Sequence, residues 1–120
     1  MIKKILVVDD EPDVLKILLL RLKITGYEVI GAKDGREALD LAHQIIPDLV
    51  VLDYHLPDMN GDVVARTLKE DKNLKHIPII LISATVAPIA QRGKECGANW
   101  CISKPFEPKE LLDAVKKMLG

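Results

Sequence analysis

Two apolar runs without alternation, each ending in acid, limit what this chain can fold into more than any other feature. Ile5-Leu6-Val7-Val8 leads into Asp9-Asp10-Glu11, and Leu49-Val50-Val51-Leu52 leads into Asp53. A strand that is apolar at every position is covered on both faces, which is the mark of a parallel sheet. Asp53 then stands at the carboxyl end of its strand, on the edge where open parallel sheets leave a crevice for ligands. An aspartate in that place also serves to cap the following turn, so the local sequence leaves both readings open.

The remaining segments decide the fold class. Pro12 fits the first position of a helix in which Val14, Leu15, Leu18, Leu19 and Leu22 recur at helical spacing, and Gly26 supplies its stop. Tyr27 to Ala32 alternates loosely, as a strand nearer an edge does. Asp34 with Glu37 resembles a capping box, and Ala38, Leu39, Leu41, Ala42, Ile45 and Ile46 form the apolar stripe of a second helix ended by Pro47. A shorter helix is expected from Asp62 to about Glu70, with Val63, Val64, Ala65 and Leu68 inward. Pro78 opens a fourth strand, Ile79 to Ile82, which ends at Ser83. A helical segment from about Pro88 to Cys96 stops at Gly97, and Trp100-Cys101-Ile102 makes a short last strand ending at Ser103-Lys104-Pro105. Pro108 starts a closing helix carrying Leu111, Leu112, Val115 and Leu119, with Lys116 and Lys117 in the last turn, where the macrodipole favours cations. Strand and helix alternate five times, which selects an α/β fold with a parallel sheet and right-handed crossovers.

With 120 residues, 48 % of them hydrophobic, the chain suits one compact domain over residues 1–120. Seventeen basic and eighteen acidic residues leave a formal net charge of -1, which gives no reason to expect direct nucleic-acid binding or an anionic membrane as partner. No apolar run approaches a membrane span and no signal peptide is visible, so a cytoplasmic protein is expected. Cys96 and Cys101 have no metal or redox spacing and read as reduced, partly buried thiols. His43, His55 and His76 likewise show no metal-ligand spacing.

The strand endings fall on one edge of one sheet: Asp9 and Asp10 on the first, Asp53 on the third, Ser83 on the fourth, Lys104 on the fifth. Neighbouring strands lie about 4.8 Å apart, so Asp10 and Asp53 are placed to share a ligand. Two carboxylates that close repel by about 1 to 4 kcal/mol, a cost that a divalent cation removes. Hard oxygen donors with room for water suit Mg²⁺. A lysine and a serine beside them suit the oxygens of a phosphoryl group, and Asp53 becomes an in-line nucleophile that forms an aspartyl phosphate. Read singly, each residue passes as a loop cap or surface charge; all five together do not.

These residues resemble the receiver domains of two-component response regulators. The likeness rests on Ile5 to Asp10, on Val50 to Asp53 with Leu56-Pro57 and Gly61 following, on Ser83-Ala84, and on Lys104-Pro105-Phe106, and it spans essentially the whole chain. It implies a flavodoxin-like doubly wound sheet of order 2-1-3-4-5 with five flanking helices. It implies phosphorylation of Asp53 by a histidine kinase or phosphotransfer protein, with Lys104 and Ser83 holding the phosphoryl group. Mg²⁺ would be bound by Asp10, Asp53 and the backbone carbonyl of His55, with Asp9 helping through water. The output would be binding to a downstream protein, by a monomer or a phosphorylation-dependent dimer, with no catalysis beyond slow self-phosphorylation and dephosphorylation. The Lys104–Pro105 bond is expected in cis. One position departs from the family pattern: Cys101 stands where family members carry an aromatic residue that turns inward, while Trp100 faces the other way. Coupling through Ser83 and the backbone after it remains. Two other functions compete, a receiver-like module that binds partners without phosphorylation and a phosphohydrolase with an aspartyl nucleophile. The second usually has an Asp-x-Asp pair and a cap domain, both missing from this sequence.

Overall fold

The computed structural model describes residues 2–84 and 97–120. Five parallel strands, β1 (Lys4–Val8), β2 (Glu28–Ala32), β3 (Leu49–Asp53), β4 (Ile79–Ser83) and β5 (Trp100–Ser103), form one sheet in the order β2-β1-β3-β4-β5. The helices described are α1 (Pro12–Thr25), α2 (Gly35–Ile45), α3 (Gly61–Glu70) and α4 (Pro108–Leu119). The further helix expected from Pro88 to Cys96, and Cys96 itself, lie outside the described residues.

Successive strand residues point to opposite faces, and the two apolar runs split accordingly. Ile5, Val7, Leu49 and Val51 pack with Leu18 and Leu22 of α1 and with Leu111, Ala114 and Val115 of α4. Leu6, Val8, Val50 and Leu52 pack on the other face with Ala38 and Ala42 of α2 and with Val64, Ala65 and Leu68 of α3. The sheet is therefore covered twice, which is why the runs Ile5 to Val8 and Leu49 to Leu52 need no polar positions.

The helix boundaries follow their caps. Pro12 opens α1, and Gly26 closes it in the left-handed region at φ 112°, where any other residue would pay for its Cβ. At the start of α2 the Asp34 carboxylate accepts from the Glu37 amide, while Glu37 reaches back to the Lys33 amide rather than to Asp34 itself. Two expected core positions are exposed. Ile46, assigned to the α2 stripe, lies past the helix end at φ 45° and is 44 % exposed. Val63, expected inward on α3, is 41 % exposed because Val64, Ala65 and Leu68 already fill the inner side of that helix. Trp100 is 38 % exposed, and the Lys117 ammonium of the last helix sits 5.1 Å from its ring centre. Cys101 on the opposite face is half-buried against the α2–α3 side.

Candidate functional site

Register brings the acids together. Val8 pairs with Leu52, so Asp9 and Asp53, each one residue further on, stand abreast at the carboxyl edge. Asp53 is itself level with Ile82 on β4, which places Ser83 one residue beyond it. One carboxylate oxygen from each of Asp9, Asp10 and Asp53 lies within 4.8 Å of the others. Asp9 and Asp53 are buried while Asp10 faces solvent, and Ser83 is buried beside them. Lys104 follows β5 and reaches back over the cluster, with its ammonium donating to Asp53 Oδ2 at 3.4 Å and lying 3.8 Å from Asp9 Oδ2. The Lys104 amide also donates to the Ser83 carbonyl, and the Lys104–Pro105 bond is cis.

Burial pushes the Asp53 carboxyl above its ordinary 3.8, against the lowering pull of Lys104 and of a hydrogen bond from the His55 amide, with Asp10 adding to the rise. Asp9 is pushed up the same way, chiefly by burial and further by Asp53, although the Glu11 amide donates to its Oδ1 at 2.9 Å. Two desolvated carboxylates thus face each other with one lysine between them. Such a pair is relieved by a cation, and an all-oxygen donor set open to water on the Asp10 side fits a hard ion such as Mg²⁺.

The loop from Tyr54 to Asn60 completes the edge. His55, exposed, pairs with Asn60 in an antiparallel bridge, and the Gly61 amide donates to the Tyr54 carbonyl. Gly61 is required there, since a Cβ would lie 2.4 Å from the Asp53 carbonyl oxygen. Sequence reasoning did not single out Asp58, whose carboxylate accepts from the Gly35 and Arg36 amides at 2.8 and 2.9 Å. Nor did it find the contact of His43 Nε2 with Asp71 Oδ2 at 2.9 Å, which ties the end of α2 to the segment after α3. An aspartate after Pro57 signals a turn, but nothing local marks a partner 23 positions away.

The profile of the response regulator receiver domain matches residues 5–116. The chain is 42 % identical over 119 residues to a probable transcriptional regulator, ycf27, of Guillardia theta, an alignment covering 98 % of this chain and 45 % of that protein. With the polar-differentiation response regulator DivK of Brucella ovis it shares 35 % identity over 121 residues, covering 100 % of this chain and 98 % of DivK. The receiver domain of the sensor histidine kinase PA1611 from Pseudomonas aeruginosa PAO1, solved with a magnesium ion coordinated in its active site cleft, aligns at a TM-score of 0.91 with 26 % identity, over 100 % of this chain and 99 % of that one. This chain belongs to the response regulator receiver domain family, whose members are phosphoacceptor signalling modules rather than conventional enzymes. It spans about half the length of the ycf27 regulators it matches. No helix among the described residues is long and apolar enough to cross a membrane.

Proposed function

We propose that residues 1–120 form one receiver domain in which Asp53 accepts a phosphoryl group from the phosphohistidine of a kinase or phosphotransfer protein in the cytoplasm, and that the modified domain then binds a downstream protein. The observation that carries this reading is the meeting of three carboxylate oxygens within 4.8 Å, with the Lys104 ammonium 3.4 Å from Asp53. Asp10, Asp53 and the His55 carbonyl would hold Mg²⁺, with Asp9 helping through water, and the ion would supply positive charge to offset the repulsion between Asp53 and the phosphoryl oxygens. One Asp53 carboxylate oxygen forms the P–O bond as the donor's P–N bond breaks, and the electron pair leaves on the imidazole nitrogen. Lys104 holds a second phosphoryl oxygen as a point charge and Ser83 donates to another. The modification adds about -1.5 to -2 charge, enough to bias a loop between two arrangements a few kcal/mol apart. With Cys101 in place of a ring, that bias passes through Ser83 and the backbone after it.

Acetyl phosphate with Mg²⁺ tests the assignment, its P–O bond breaking to release acetate. A hydroxylamine-labile adduct is expected on the native protein and none on Asp53→Asn; an adduct that persists in Asp53→Asn removes Asp53 from the role.

A further inference from the structure

The tip of the β3–α3 loop is tied to a helix that contributes nothing to the site directly. Building on the proposed phosphoacceptor function, we infer that Asp58 is a positioning residue: by fixing the loop tip to the first turn of α2 it holds the His55 peptide units, which orient Asp53 and face the cation.

The base of the loop is closed by the Gly61 amide on the Tyr54 carbonyl and by the bridge between His55 and Asn60. At the tip both Asp58 oxygens are engaged, Oδ1 by the Gly35 amide at 2.8 Å and Oδ2 by the Arg36 amide at 2.9 Å. The next amide of the same helix, Glu37, is already taken by Asp34. α2 therefore has a cap from its own chain segment and a second one delivered from the loop, charge-assisted and placed at the positive end of the helix dipole. Met59 seals the same joint, lying so close to Gly35 that a Cβ there would fall 2.5 Å from Met59 Cγ.

His55 lies between the strand end and this anchor. Its amide donates to the Asp53 carboxylate, and its carbonyl is the cation ligand of the proposed site. Both directions are set by the few backbone torsions between Tyr54 and Asp58. Closing the base alone leaves those torsions free to redistribute; anchoring the tip as well fixes them. Groups behind a metal ligand orient it and tune its affinity in this way.

The test compares Asp58→Ala with Asp34→Ala in the whole chain. Both remove acceptors from the same helix end, so both are expected to lower the melting temperature. Only Asp58→Ala is expected to weaken Mg²⁺ binding, on the order of tenfold by calorimetry, and to speed hydrogen exchange of the loop amides in metal-free protein. Its labelling by acetyl phosphate recovers at saturating Mg²⁺, and Asp58→Asn, with one acceptor oxygen left, falls between. Unchanged Mg²⁺ affinity and exchange in Asp58→Ala, or equal losses in Asp34→Ala, would overturn the inference. Wild-type protein that neither binds Mg²⁺ nor takes label would instead refute the phosphoacceptor reading, and the exchange comparison would still decide whether Asp58 holds the loop.

Discussion

The two halves of the site are held in different ways. The acidic half is fixed from several sides: backbone amides of Glu11 and His55 donate to Asp9 and Asp53, and the loop after β3 is closed at its base and anchored at its tip. The basic half reaches its partners across a gap. Lys104 comes from the end of an edge strand, and its 3.4 and 3.8 Å approaches are longer than the roughly 2.7–2.9 Å of a tight charge-assisted bond. The acids are arranged in advance at the cost of mutual repulsion, and in the proposed reading the lysine draws in when phosphoryl oxygens fill the space.

Removing one half at a time separates their roles. Lys104→Ala is expected to slow labelling by acetyl phosphate on the order of a hundredfold, while leaving Mg²⁺ affinity unchanged or slightly tighter, because a competing cation is gone. Asp10→Asn should do the reverse, weakening Mg²⁺ binding first. Equal effects of both variants on both measurements would show that the halves do not act separately.

A smaller effect concerns pH. Asp9 and Asp53 titrate above 3.8 in the folded protein because burial penalises their charged forms. Their ionisation therefore costs stability at pH values above the raised pKa, and the metal-free fold regains that stability as pH falls from the raised values toward 3.8. Mg²⁺ at a hundred times its dissociation constant should add about 2.7 kcal/mol near neutral pH. Differential scanning calorimetry should show this gain shrinking as the acids are protonated; a gain independent of pH would place the ion elsewhere.

The smallest effect lies away from the site, at the far ends of α2 and α3. The Leu39 carbonyl and then Asp71 hold the His43 pKa above 6.5, so this contact stabilises fully below 6.5 and is lost as pH rises through the raised value. Thermal melts of His43→Gln and wild type on either side of 6.5 should differ more on the acid side.

Much of the acidic half was legible because strand residues keep their register: two buried runs ending in aspartate end together once they pair. The helix ends marked by Pro12, Gly26 and Pro108 were legible for a different reason, since each follows a local rule. Val63 and Ile46 were misplaced because apolar character alone does not say which side of a helix is already full, or where the last turn ends. Asp58 and the His43–Asp71 contact were invisible because they join segments far apart in sequence through polar groups that carry no periodicity.

The lack of room at Gly61 has a mechanical consequence. The first residue of α3 abuts the Asp53 carbonyl so closely that not even one methyl group separates them. Strand and helix meet there as a joint without play, so any tug on the Asp53 backbone is delivered straight to the axis of α3, and a substitution that inserted bulk would act as a wedge between anvil and lever.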